Sequence, residues 1–290
     1  MLRFLVLDAY PRQDREALVA LGGKLGGERY VEVLQHLEPG CVTDLIYPAD
    51  SEEPLAQGAA LTDYDGIVWS GSTLTVHEEH DVRVRRTIDF ARAGFESGVP
   101  SYGSCYAAQV AVVAAGGTCV RNPRGREIGA VHDIALTDAG RHHPLFARRP
   151  AVGTFSVFQS HQDVIDTLPK GAEVLAENAQ SPVQGVAVQH RGGSFWAVQY
   201  HPEWTYDEVA DVFELRDEAL VREGVFESLD VARDTLLDFR RIAASSEDAE
   251  DSSPHVADEL LDLDQRVAEA RSWIDACVKP HRAGSRSEAV

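Results

Sequence analysis

The chain has 290 residues, 44% of them hydrophobic and 26% charged, which suits a soluble globular protein with ample apolar core. Asp and Glu number 47 against 27 Lys and Arg, and the resulting net charge of −20 argues against nucleic acid as a partner, since phosphate binding needs a basic footprint. No apolar run approaches a membrane span and the N-terminus lacks a signal-peptide pattern, so the expected location is cytoplasmic and no membrane partner is expected.

Alternating strands and helices are predicted from the start. Phe4 to Leu7 reads as a short buried strand, and Asp14 to Leu21 as a helix that two glycine pairs separate from a second helical stretch ending near Leu37. Thr43 to Tyr47 and Ile67 to Ser70 are the next strands, followed by an amphipathic helix over Val82 to Phe95. A strand end at Val99 to Tyr102, a sharp turn and a helix from Tyr106 to Ala115 come next. Shorter β-rich segments lie near Ile134 and at Thr154 to Ser160, Val174 to Ala176, Val186 to Gln189 and Phe195 to Tyr200. This order predicts an α/β fold, an open, mostly parallel, flavodoxin-like sheet flanked by helices.

The end of the chain reads differently. Asp207 to Glu223 and Phe226 to Ile242 show helical apolar spacing. Residues 244–254 form an acidic, Pro-terminated linker, which divides the chain into a domain at 1–243, the linker, and an amphipathic helix and tail at 255–290. In that last part Val256, Leu260, Leu263, Val267, Ala270, Ile274 and Cys277 recur every four or three residues, a heptad-like stripe of about three heptads. Docking back onto the chain's own domain is the reading favoured for the stripe; pairing with a second subunit, as a homo-oligomer, or with another protein is the alternative.

Cys105 stands in Gly-Ser-Cys-Tyr-Ala-Ala-Gln, between an apolar strand and a helix of small residues. Gly103 and Ala107 flank it two positions either side, the small-x-nucleophile-x-small pattern of a crowded elbow, and a helix N-terminus there favours a thiolate. A base is expected from His201, which ends the strand Phe-Trp-Ala-Val-Gln-Tyr, with Glu203 two residues on to orient it. The other cysteines, at 41, 119 and 277, suggest neither a disulfide framework nor a metal site. His77-Glu-Glu-His80 lacks the spacing and third ligand of a common zinc site, so no metal is expected.

These residues resemble the catalytic motifs of the class I (triad) glutamine amidotransferases, with the amidotransferase domain of GMP synthetase and its stand-alone relatives nearest in pattern. Tyr64 to Ser72 resembles the family's oxyanion loop, Arg126 to Gly129 its Glu-Ile/Leu-Gly step, and Gln159 to Asp163 its Ser-His-x-Asp segment. The resemblance spans roughly residues 1 to 240 and implies Cys105 as nucleophile, His201 as base and Glu203 as its partner. It also implies an oxyanion hole at the N–H groups of Ser72 and Tyr106, and binding of the substrate by Gly71, Gln109, Ser160, His161, Gln162 and Asp163. The implied reaction hydrolyses the glutamine side-chain amide through a thioester, releases glutamate and ammonia, and needs no cofactor.

Two departures bear on the substrate. The loop reads Ser70-Gly71-Ser72-Thr73 where the family commonly has Ser-Gly-Gly-Pro, and Ala107 stands where it usually has glycine. No phosphate-binding glycine loop follows residue 205, so the acceptor of ammonia is not in this chain's pattern. Three readings follow: a glutaminase with a separate synthetase subunit, a stand-alone γ-glutamyl hydrolase or peptidase acting on another γ-glutamyl compound, and a catalytically silent binding module.

Overall fold

The structure, a computed structural model, describes residues 1–51, 54–244 and 256–287. Its first half alternates: β1 (Arg3–Leu7), α1 (Arg12–Ala20), α2 (Gly26–Leu37), β2 (Val42–Ile46), β3 (Gly66–Trp69), α3 (Val82–Ser97), β4 (Ser101–Ser104) and α4 (Tyr106–Ala114). A strand-rich stretch follows with β5 (Thr118–Arg121), β6 (Glu127–Leu136), the short α5 (Asp138–His142), β7 (Thr154–His161) and β8 (Asp163–Thr167). Then come β9 (Ala172–Glu177), β10 (Gly185–His190), β11 (Gly193–Val198), α6 (Tyr206–Arg222) and α7 (Leu229–Ala244).

The main sheet has the order β2-β1-β3-β4-β11-β10-β9-β6-β7. The five strands from β2 to β11 pair in parallel, and β10, β9, β6 and β7 extend the sheet antiparallel. Crossover helices cover both faces of the parallel part, which is why Phe4 to Leu7 and Ile67 to Trp69 are continuous apolar runs, all buried. Asp81 caps α3 by accepting from the Arg83 N–H (2.8 Å), and Gly98 ends it at φ 73°. Helix α4 is buried on nearly every face, matching its run of small apolar residues.

The sequence reading misses β5 and β8, which pair with each other as a separate two-stranded ribbon. Strands of four and five residues are too short for an alternating pattern to stand out.

The C-terminal stripe departs from a single helix. It forms α8 (Asp258–Leu261), α9 (Leu263–Arg266), α10 (Ala268–Trp273), a π-helical turn at Ile274–Val278 and α11 (Lys279–Ser287). Asp262, at φ −88° and ψ 117°, leaves the helix and caps α9 by accepting from the Gln265 N–H. Val267, Ala270, Trp273, Ile274 and Val278 are buried against Phe4, Tyr30, Val33, Val68 and Tyr102, with Trp273 stacked on Tyr102 (centroids 5.6 Å apart). The centre of the stripe is therefore core within its own chain and is not presented for pairing with a second subunit. Arg149 and Glu269, both buried, fasten α10 with a two-pronged ion pair (2.6 and 3.1 Å). Beyond Ala244, the expected acidic linker lies outside the described residues. Among the described residues no helix is long and apolar enough to cross a membrane.

Candidate active site

The C-terminal ends of β3, β4 and β11 meet at one edge of the parallel sheet, the position where open α/β sheets place their ligands. Cys105 follows β4 directly and adopts φ 54°, ψ −107°, a conformation rare for a residue with a Cβ and held here by its surroundings. Its N–H donates to the Val198 carbonyl (2.8 Å), tying the turn to β11. A Cβ at Gly103 would lie 2.5 Å from the Ala107 Cβ and 2.7 Å from the Trp69 carbonyl oxygen. The elbow thus has room for one methyl group, and Ala107 supplies it because position 103 has none.

His201 is buried beside the elbow, its N–H donating to the Phe158 carbonyl (2.8 Å). Its Nδ1 lies 2.8 Å from Glu203 Oε1, and the same oxygen accepts from the Ser104 hydroxyl at 3.0 Å. The residue before Cys105 therefore fixes the carboxylate that fixes the imidazole. Burial alone would lower the His201 imidazole, but charge on Glu203 and Cys105 outweighs it and carries the group up to about 9. The Trp204 indole lies flat against the imidazole, with centroids 3.7 Å apart and planes at 8°.

The β3 loop closes over this group. A Cβ at Gly71 would lie 2.7 Å from His201 Cε1 and 3.4 Å from the Cys105 Cβ, so only glycine fits there without displacing the imidazole. The Gly71 carbonyl accepts from the Ser70 hydroxyl (2.8 Å), which turns the Ser72 N–H, on the opposite side of that planar peptide, away from it. Ser72 needs no left-handed backbone, since among the described residues only Cys105 and Arg191 have positive φ without being glycine. Its hydroxyl donates to the Ala9 carbonyl (2.8 Å) and accepts from the Leu74 N–H (3.1 Å), pinning the loop to the end of β1.

Gln109, Ser160, His161, Gln162, Asp163 and Tyr106 all face the same cavity as Cys105. The Ser160 carbonyl oxygen is 3.9 Å from Cys105 Sγ, and the Gln109 side-chain amide donates to the Asp163 carbonyl at 3.3 Å. Burial raises the Asp163 carboxyl, with His77, Arg121, His161 and Arg126 acting against it. The His161 ring contacts a buried polar cluster, with Nε2 2.5 Å from Gln159 Oε1 and 3.2 Å from Glu127 Oε2. Gln184 and Asn178 donate to that Glu127 carboxylate, so the Glu-Ile-Gly step supports the 160–163 segment from beneath.

Sequence reasoning did not single out Tyr10, Trp204 or Arg216, which also line the cavity of about 280 Å³. Trp204 directly follows the His-Pro-Glu step, and that adjacency was the available signal. Tyr10 and Arg216 arrive from the β1 loop and from α6, and no local pattern marks either. Among the described residues no cluster of three His, Cys, Asp or Glu side chains could hold a metal ion.

The sequence profile of the family described as glutamine amidotransferase class-I matches residues 32–214, more than half of the chain. The chain belongs to that family. It is an enzyme of the glutamine amidotransferase kind. A γ-glutamyl-L-1-hydroxyisopropylamide hydrolase from Pseudomonas sp is 30% identical over 283 residues, covering 96% of this chain and 94% of that protein. The glutamine-hydrolysing GMP synthase of Bordetella parapertussis is 33% identical over 167 residues, 56% of this chain but 29% of that enzyme. A glutamine amidotransferase from Thermotoga maritima shares the fold, with a TM-score of 0.60 at 15% identity over 93% of this chain and 98% of that one.

Proposed function

We propose that this protein hydrolyses a γ-glutamyl amide through a thioester on Cys105, acting on its own rather than feeding ammonia to a synthetase. The reading is carried by Cys105, strained at an elbow on the cavity wall, with the buried His201 beside it and held by Glu203. Its free-standing character rests on the likeness to the Pseudomonas hydrolase along nearly the whole of both chains, C-terminal helices included.

In this mechanism the Cys105 thiolate attacks the γ-carbonyl carbon, and the N–H groups of Ser72 and Tyr106 receive the oxyanion. The C–N bond breaks as His201 Nε2 delivers its proton to the leaving nitrogen. A water then loses a proton to His201, adds to the thioester carbon and frees glutamate and Cys105. Glu203 stabilises the imidazolium throughout. The 160–163 segment and Gln109 hold the glutamyl head, with the Asp163 carboxylate suited to its α-ammonium. Glutamine itself, with ammonia passed to a separate synthetase subunit, is the second reading, favoured by the likeness of residues around the site to GMP synthase.

Glutamate release from γ-glutamyl alkylamides and from glutamine tests this, with Cys105→Ala alongside. The alkylamide is expected to be the better substrate and the variant to be silent on both. Preference for glutamine would favour the second reading; native protein inactive on every γ-glutamyl amide would overturn the proposal.

A further inference from the structure

Five Lys and Arg side chains line the cavity: Arg15, Lys24, Arg29, Arg126 and Arg216. Four are matched by carboxylates, Arg15 by Asp50 (2.7 Å), Lys24 by Glu32 (2.6 Å), Arg29 by Glu208 and Arg126 by Glu223 (2.6 Å). Arg216, half-buried on α6, has no ion-pair partner among the described residues, in a chain with 47 acidic side chains. A cation on a cavity wall with no carboxylate within ion-pair distance is suited to an anionic ligand group.

The Asp163 carboxyl feels His77, Arg121, His161 and Arg126, whereas the Tyr10 hydroxyl feels Cys105, Arg216 and Glu203. Arg216 also acts on Glu223, the partner of Arg126. A γ-glutamyl amide has two halves, one on each side of the scissile bond. With the glutamyl head held by Asp163, the leaving amine is assigned to Tyr10, Trp204 and Arg216, which line the same cavity. Leu18, Val212 and Leu215 face the same cavity and offer apolar contact.

We propose that Arg216 binds a carboxylate on the leaving amine, so that the substrate is a γ-glutamyl dipeptide ending in a small apolar amino acid. The inference rests on the γ-glutamyl amide reading above and narrows its substrate class. The reaction consumes one water: the amide C–N bond breaks, the nitrogen gains the His201 proton, and the products are glutamate and a free amino acid.

The test compares γ-glutamyl-L-alanine with γ-glutamyl-L-1-hydroxyisopropylamide, which share a skeleton and differ in a carboxylate against a hydroxymethyl group. The native protein should favour the dipeptide by about tenfold or more in kcat/KM, as expected for a charge-assisted contact. Arg216→Gln should reduce that ratio about tenfold, and Arg216→Lys should retain part of it, with melting curves confirming that both variants fold. Native preference for the neutral amide, or a ratio unchanged by Arg216→Gln, would overturn the inference and leave γ-glutamyl hydrolysis standing. Equal loss on both compounds would also overturn it, since Arg216 would then serve the shared glutamyl half. Native protein inactive on both compounds and on glutamine would remove the parent reading as well.

Discussion

Replacing Glu203 by glutamine keeps an acceptor for His201 Nδ1–H and removes the charge that holds the imidazole protonated. In the native site burial lowers the imidazole, yet Glu203 and Cys105 carry it from an ordinary 6.5 to about 9, a difference of about 3 kcal/mol favouring imidazolium. With glutamine, burial outweighs the remaining attraction and the imidazole moves down. The acid that must protonate the leaving nitrogen then becomes scarce at neutral pH. Loss of about 3 kcal/mol from acylation predicts a fall in kcat/KM of about 100-fold at pH 7.5. The native profile should decline as pH rises through about 9, where His201 loses its proton, and in Glu203→Gln that limb should move toward acid. Stability follows the same sign: a raised imidazole contributes fully below pH 6.5 and is lost as pH rises through about 9. Glutamate release measured from pH 5 to 10, with urea midpoints at pH 6 and 9.5, reads both effects. An alkaline limb that stays near 9 in the variant would refute the assignment of that proton to a Glu203-supported imidazole.

Gly71→Ala places a methyl 2.7 Å from His201 Cε1, so the imidazole or the loop must shift; activity should fall at least tenfold in steady-state assays while circular dichroism stays native. Glu269→Ala leaves the Arg149 guanidinium buried and unpaired, which should cost about 3–5 kcal/mol and lower Tm by roughly 10 °C. An unchanged melting curve would show that α10 is not fastened by this pair. Replacing Arg149 and Glu269 together with Met and Leu should cost less than Glu269→Ala alone, because no buried charge is then stranded.

Much of the site is legible in the chain because its chemistry is local. The strand, elbow and helix around Cys105 follow from a run of small and apolar residues, and the imidazole-carboxylate pair from His201 and Glu203 lying two positions apart. Ser104 escapes notice because its partner Glu203 is 99 residues away, and a serine beside a cysteine carries no pattern of its own. The departures at Ser72 and Ala107 look like defects in sequence and have simple accommodations in space. One hydroxyl binds the Ala9 carbonyl and the Leu74 N–H, and one methyl fits because Gly103 has none.

The sequence by itself determined the fold class, the elbow and the candidate group of Cys105, His201 and Glu203, since periodicity, small-residue spacing and short-range pairs are written in neighbouring positions. It also carried the apolar stripe of the last segment, but not what that stripe buries against, because an amphipathic face states that it must be covered and not by what. Tertiary structure decided that Trp273 and Ile274 complete the core over Tyr102 and that Trp204 stacks on His201. It also left Arg216 alone among the cavity's cations without an ion pair within the described residues. Contacts between residues far apart in the chain exist only once the backbone has folded, and substrate selection depends on those contacts.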